Sequence, residues 1–292
     1  VKEMLYQLLQ SKFKIVKSPK SYNSQLGVPL SVWQLTQADE LGIFEAGISR
    51  KGEMDSLQKM IQPTIGLFTY LGKAHAVGFV SQEEKIKEKL QLFKKSKVLI
   101  YNADDSILYN SILQFQQTEN KNLQLFSWGK EAADVKIISI ERGNKICKIK
   151  YLFSNEEAQF EIPFVDEASV HNALSCLAVL LYLNISHQDI EQNMRQLKPA
   201  AMRLEMITGV NNCIIINDSY SADVSSLQIA LNFLREQNNP ETRTLILSDI
   251  PQTGLADAEL YAFIAKLVTQ KEVDKFEGVG PQLFLNQQLF NG

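Results

Sequence analysis

Cysteine is scarce in this chain of 292 residues: Cys147, Cys176 and Cys213 lie far apart, with no C-x-x-C and no histidine at ligand spacing. An odd count without those spacings excludes a disulfide framework and a structural zinc site, and it fits a reducing cytoplasm. An excess of positive charge is lacking as well. Thirty Lys+Arg stand against 33 Asp+Glu, for a formal net charge of -3, so nothing is available to neutralise a phosphate backbone or an anionic bilayer. Nucleic acid and membrane are not expected as partners. Long apolar runs are missing too: the longest, about Ala173–Ile185, falls short of the ~20 residues a bilayer span needs, and no signal-peptide pattern opens the chain. What remains is ordinary globular composition, 45% hydrophobic and 22% charged, in a length that suits about two domains.

The chain is helical from its first residues, with Val1, Leu5, Leu8 and Leu9, joined by Met4, on an i, i+4, i+7, i+8 stripe. No Ser, Thr, Asp or Asn precedes that stripe as an N-cap. The expectation is a piece of a longer protein. Apolar runs rich in β-branched and aromatic residues then alternate with helical patterns, which predicts a mostly parallel sheet flanked by helices. Strands are expected at Phe13–Lys17, Leu41–Glu45, Thr64–Thr69 and Lys97–Tyr101, with helices at Met54–Ile61 and Gln82–Lys95. Between Asn122 and Phe164 the runs come closer together: Leu123–Trp128, Val135–Glu141, Lys145–Phe153 and Ala158–Pro163. They predict an antiparallel strand group appended to the sheet. Helices follow at Ala168–Leu183 and Gln188–Leu197. Pro199 marks a break, which divides the chain into domains 1–198 and 199–292. The second reads as a partial Rossmann-like α/β domain, with strands at Cys213–Asn217, Thr244–Leu247 and Asp274–Glu277 and helices at Ser225–Leu234 and Ala256–Thr269.

Ligands of open α/β sheets sit beyond the carboxyl ends of the strands. Glu45 ends the strand of Gly42-Ile-Phe-Glu-Ala-Gly47, where a carboxylate either holds Mg²⁺ or is a solvated strand end or cap. His75 follows the next strand, so it is expected at the same sheet edge, as a second cation ligand or as a structural loop histidine. Lys89 belongs to Glu83-Glu-Lys-Ile-Lys-Glu-Lys-Leu90, which by charge alone reads as a solvated helix face laced with i,i+4 pairs. Asp218 and Asp249 each follow a strand and precede a helix. That place suits a ribose-binding acid or a plain N-cap. Asn172 opens an apolar helix and is most simply a cap. Periodicity alone therefore yields a cleft with acids, a histidine and Arg203, and no named reaction.

Taken in order, these segments resemble the Mur ligases, specifically the type that adds D-alanyl-D-alanine to the UDP-N-acetylmuramoyl tripeptide. The stretches that carry the resemblance are Ser18-Pro-Lys-Ser-Tyr-Asn-Ser-Gln-Leu-Gly-Val-Pro-Leu30, Phe44-Glu-Ala-Gly47 with Gly52-Glu53, Thr69 through Gly72 to His75 with Phe79, Ser81 through Lys89 to Phe93, Asn102-Ala-Asp-Asp105, Asn172-Ala-Leu174, Met202-Arg-Leu204 and Asp218-Ser-Tyr220. The resemblance implies that ATP phosphorylates the tripeptide carboxylate and that the amine of D-Ala-D-Ala attacks the acyl phosphate. It implies Glu45 and His75 as Mg²⁺ ligands, and Lys89 as the lysine that takes up CO₂ to become an anionic carbamate beside the metal. It further implies Asn172 as an adenine contact, Arg203 and Asp218 as phosphate and ribose contacts, and Ser21 and Asn23 as substrate contacts, with domain closure completing the site.

The departures from that pattern are specific. Tyr70 stands where an asparagine is common, Ser221 and Asp223 alter the Asp-Ser-Tyr motif, and the His-Asn pair that often precedes Asn-Ala-Leu is absent. No G-x-x-x-x-G-K-[ST] occurs anywhere in the chain, although the resemblance implies such a phosphate loop just before the first helix. Without that loop and the N-terminal domain that grips the UDP moiety, the chain alone is expected to be inactive. The wording around Ser18–Leu35 and Leu247–Gly254 resembles versions fused to a downstream alanine racemase. Rival readings are another ligase of the superfamily, such as a folylpolyglutamate synthetase, and a non-catalytic pseudo-ligase domain that regulates a fused partner.

Overall fold

The computed structural model describes residues 1–48, 50–69, 79, 81–199, 204–220, 222–236, 242–250 and 255–290. They form two compact units, one reaching Lys198 and the other running from Pro199.

In the first unit the elements are α1 (Lys2–Leu9), β1 (Ile15–Lys17), α2 (Gly27–Val32), β2 (Leu41–Ile43), α3 (Glu53–Ile61), β3 (Ile65–Leu67), α4 (Gln82–Leu90), β4 (Val98–Asn102), α5 (Ser106–Thr118), β5 (Gln124–Gly129), β6 (Val135–Arg142), β7 (Cys147–Phe153), β8 (Glu156–Ile162), α6 (Glu167–Tyr182) and α7 (His187–Arg195). The chain is mixed α/β, as expected. Strands β3 to β8 make one six-stranded sheet in sequence order. The pairs from β3 through β6 are parallel, and β6–β7 and β7–β8 are antiparallel. This corrects the expected antiparallel group at its first member. Gln124–Gly129 extends the parallel part, its side chains buried from Phe126 to Gly129 as befits a strand covered on both faces.

Strand β4 shows why the sheet lies between two helical layers. Its residues alternate in direction, so Val98 and Ile100 join a core with Leu5, Leu8 and Leu9 of α1 and Ala173–Leu181 of α6. Leu99 and Tyr101 join the opposite core with Ile86 and Leu90 of α4 and Leu108, Ile112 and Phe115 of α5. Close approach on that side needs Gly66 in β3, where a Cβ would lie 2.4 Å from the Phe93 ring. Strands β1 and β2 pair in parallel, Ile15 with Leu41 and Lys17 with Ile43. Ile15, Leu41 and Ile43 pack on the same core as Ile65 and Leu67.

The second unit holds β9 (Glu205–Thr208), β10 (Ile214–Asn217), α8 (Val224–Glu236), β11 (Thr244–Ser248), α9 (Asp257–Gln270), β12 (Lys275–Val279) and α10 (Pro281–Leu285). Here the sequence pattern missed β9, which pairs antiparallel with β10. Its four residues are half to fully exposed and carry no burial alternation. Strands β11 and β12 are parallel and pack with Leu227, Leu231, Leu260, Ile264 and Leu267 into a separate core.

Candidate functional site

Glu45 lies two residues beyond β2, and its surroundings are built by three other segments. Ser18, fully buried just past β1, donates its backbone N–H to the Ile43 carbonyl at 3.0 Å, and its Oγ accepts from the Glu45 N–H at 3.1 Å. These bonds hold the Glu45 backbone to the end of β1. Asn23 holds the side chain: its Nδ2 donates to Glu45 Oε1 at 2.9 Å, while its own carbonyl accepts from the Gly47 N–H at 2.8 Å. Gly47 permits this bracket, since a Cβ there would come within 3.1 Å of the Asn23 amide. Asn23, expected to contact substrate, is thus bonded to Glu45 itself. Ser21 lies exposed in the turn beneath it, accepting from the Asn23 N–H at 2.7 Å.

Lys2 approaches the other carboxylate oxygen. Its Nζ donates to the Ser18 carbonyl at 2.8 Å and to the Lys20 carbonyl, and it lies 3.9 Å from Glu45 Oε2 and 3.7 Å from Glu3 Oε1. Its side chain is only 8% exposed, against 42% for Glu45. Nothing in the expected motifs pointed to Lys2. The one available signal was a cation in the first turn of a helix, where the macrodipole disfavours it.

Lys89 near the end of α4 is not on a solvated face: Ile86, Glu88 and Leu90 around it are buried, and it is itself half-buried. Burial, and after it the charge of Lys85, push the Lys89 pKa below lysine's usual value, with the Glu45 carboxylate opposing them. Lys89 and Glu45 therefore share one electrostatic site. The neighbouring Glu88 turns the other way. Its Oε1 accepts from the Gly52 and Met54 N–H groups at 2.8 and 3.1 Å, capping α3, whose own cap residue Gly52 has no side chain.

At the end of β4, Asn102 Oδ1 accepts from the Asp104 N–H at 2.8 Å and its Nδ2 lies 3.3 Å from His171 Nε2. The His171 ring stands edge-on to Trp128, centroids 4.8 Å apart, and burial lowers its pKa against the opposing charges of Glu167 and Asp104. Asn172 follows inside α6. It does not open the helix, which Asp166 caps by accepting from the Ser169 N–H. The helix begins at Glu167, within one residue of the expected Ala168 start, so Asn172 lies in its second turn. In the second unit, Asp218 follows β10 and accepts from the Leu204 N–H at 3.1 Å. Asp249 does not cap α9, the helix that follows it, which begins after Ala256 without a side-chain cap; its carboxylate instead accepts from the Gln282 and Leu283 N–H groups that begin α10, and from the Tyr261 hydroxyl. His75, Arg203, Tyr70 and Ser221 lie outside the described residues. Among the described residues, no three His, Cys, Asp or Glu side chains stand together as a metal cluster, and no helix is long and apolar enough to cross a membrane.

Polar side chains gathered at the carboxyl ends of parallel strands place the chain among the open α/β proteins that bind ligands there. The family pattern of the Mur ligase middle domain matches residues 1–180. The chain belongs to the Mur ligase family. It is similar to the UDP-N-acetylmuramoyl-tripeptide--D-alanyl-D-alanine ligase of Bacillus subtilis (strain 168), with 25% identity over 283 residues covering 94% of this chain and 58% of that protein. Its fold matches crystal structure II of MurF from Acinetobacter baumannii, with a TM-score of 0.81, 23% identity, and coverage of 99% of this chain and 63% of that one. MurF ligase from Thermotoga maritima in complex with ADP gives a TM-score of 0.72 at 19% identity, over 96% of this chain and 64% of that one. The chain spans 58% to 64% of the length of these relatives.

Proposed function

We propose that this chain is part of an ATP-dependent ligase that joins D-Ala-D-Ala to UDP-N-acetylmuramoyl-tripeptide through an acyl phosphate. The observation that supports the reading is the match of residues 1–180 to the Mur ligase middle domain, within which Lys89 is a half-buried amine whose burial lowers its proton affinity while the charge of Glu45 opposes that shift. A neutral amine is what CO₂ requires. After the ammonium has given one proton to solvent, the amine lone pair forms the new N–C bond as one C=O π bond of CO₂ opens onto oxygen, a second proton leaves the nitrogen, and the former cation becomes an anionic carbamate.

The residues present suit Mg²⁺, which takes hard oxygen ligands and is commonly held by one or two carboxylates together with substrate phosphates. Glu45, half-exposed and with its Oε2 facing Lys2 at 3.9 Å, would supply one such ligand, and a carbamylated Lys89 would add another; His75 is proposed as a third. Bound there, Mg²⁺ would neutralise charge on the transferring phosphoryl group. Asn23 and Ser18 keep the Glu45 carboxylate aimed, and Asn172, Arg203 and Asp218 are proposed to contact the nucleotide, with Ser21 toward substrate. A phosphate loop of the G-x-x-x-x-G-K-[ST] kind, which these 292 residues do not contain, has to be supplied, together with a UDP-binding domain; a fused alanine racemase belongs to the same proposal.

Phosphate release from ATP, measured with UDP-N-acetylmuramoyl-tripeptide and either D-Ala-D-Ala or single amino acids, tests the reading in a polypeptide that joins this chain to such a loop and domain. Release that depends on the dipeptide and disappears in Lys89→Ala is expected. Release supported by a single amino acid, or unaffected by K89A, refutes it, as does dipeptide-dependent turnover by the 292-residue chain alone.

A further inference from the structure

Lys2 is a buried cation in the first turn of α1, a place where the helix dipole opposes it. A lysine so placed has to be held by oxygens. Two backbone carbonyls, of Ser18 and Lys20, take its hydrogen bonds, and the Lys20 carbonyl is presented by a backbone at φ 45, a conformation that non-glycine residues seldom adopt. Strain is thus accepted to aim an oxygen at this ammonium. With two of its three donors spent on the carbonyls, Lys2 lies between two carboxylates, Glu3 Oε1 at 3.7 Å and Glu45 Oε2 at 3.9 Å, within ion-pair range of both but beyond hydrogen-bond contact; Glu3 is itself bonded to Lys17, which leaves the Lys2 charge to Glu45. The other oxygen of Glu45 is taken by Asn23. The carboxylate is therefore fixed on one side and charge-neutralised on the other, while its side chain remains 42% exposed.

We propose that Lys2 is the resident counter-ion of Glu45, an internal cation that a divalent metal ion must overcome to bind there. It keeps the carboxylate neutralised and oriented without blocking it. A free divalent ion meets a site whose charge is already balanced, so it is held weakly, and firm binding awaits the further negative charge of a polyphosphate. The inference rests on the proposed reading of Glu45 as a metal ligand.

The test is Mn²⁺ binding to the 292-residue chain, followed by calorimetry and by the electron-spin signal of free Mn²⁺, for the wild type, Lys2→Met, Glu45→Gln and the double variant. K2M is expected to tighten Mn²⁺ by about tenfold, the loss of one opposing unit charge near 4 Å. E45Q should weaken binding, and the double variant should show no tightening. Equal or weaker binding in K2M, including no binding by either protein, overturns the proposal. If K2M tightens and K2M/E45Q tightens as much, Glu45 is not the ligand and the underlying reading falls instead. Because K2M removes partners of two carbonyls and can fail to fold, a second measurement uses the wild type: the slowly exchanging ammonium signal of Lys2 in ¹H–¹⁵N spectra, identified by its loss in Lys2→Arg. Addition of Mg²⁺ should shift that signal, and Mg²⁺ that leaves it unmoved overturns the proposal.

Discussion

Glu88 offers the most direct check on how α4 is held. Its carboxylate reaches from α4 to the start of α3 and accepts from Gly52 and Met54 N–H groups. Glu88→Ala removes both acceptors, but the two donors fare differently. Gly52 is exposed, so its N–H regains water, whereas Met54 is buried and its N–H is left unsatisfied at about 1–3 kcal/mol. Loss of a negative charge at the α3 N-terminus adds about 0.3–1 kcal/mol. The sum for E88A is about 1–4 kcal/mol. Glu88→Gln keeps an oxygen acceptor and loses only the charge, so about 0.5–1 kcal/mol is expected. Urea unfolding followed by tryptophan fluorescence measures both, since Trp33 and Trp128, the only two tryptophans, are in the first unit. The midpoint should fall without a change in slope. E88A within about 0.5 kcal/mol of wild type, or E88Q as costly as E88A, would refute the capping argument. It would also remove the contact that fixes the turn of α4 carrying Lys89.

Other outcomes follow from buried polar groups. Lys89→Met is expected to raise the melting temperature at neutral pH, because burial lowers the Lys89 pKa. Between the folded and the ordinary lysine values the unfolded chain binds more protons, so wild-type stability rises with pH across that window. The advantage of K89M should therefore shrink as pH climbs toward 10.5, and a constant or growing advantage would contradict the sign. The Tyr151 hydroxyl, in the core, pairs with His187 Nδ1 at 2.6 Å, so His187→Ala should cost about 1–3 kcal/mol in urea unfolding, with the double variant Tyr151→Phe/His187→Ala less than additive. Asp249→Ala should destabilise the second unit by about 1–2 kcal/mol through loss of the α10 cap. No change would deny the cap that its bonds to Gln282 and Leu283 describe.

Much of the fold is legible where one residue pattern has one packing solution. The continuous run Val98–Tyr101 is buried on both faces, and an unbroken β-branched and aromatic run can be satisfied only between two layers. Parallel or antiparallel pairing is not encoded so locally, which is why Gln124–Gly129 reads as a member of the antiparallel group although it pairs in parallel with both Val98–Asn102 and the start of Val135–Arg142. Short exposed pieces fail for the opposite reason. Glu205–Thr208 has no buried face to impose a period. The α6 cap falls to Asp166, whose side chain accepts from the Ser169 N–H, so Asn172 lies inside the helix expected from Ala168.

The candidate site divides along the same physical line. Strand-end position made Glu45 readable, because topology brings carboxyl ends of parallel strands together whatever their residues. Lys89 was hidden by composition: a helix reading Glu83-Glu-Lys-Ile-Lys-Glu-Lys-Leu90 looks wholly solvated, yet Ile86, Glu88 and Leu90 are buried and Lys89 shares the field of Glu45. The burial of the adjacent Glu88 comes with its contact to the bare N-terminus of α3, between residues 34 and 36 positions apart, which no local pattern contains. Lys2 was hidden for a related reason, since its partners, Ser18 and Lys20 by their carbonyls and Glu45 by its charge, are gathered from two separate turns. The strand-end side chain is thus the visible part of the candidate site. The groups that set its charge and aim are long-range: Lys2, held by carbonyls 3.9 Å from Glu45, and Lys89, whose proton affinity burial lowers while the charge of Glu45 opposes that shift.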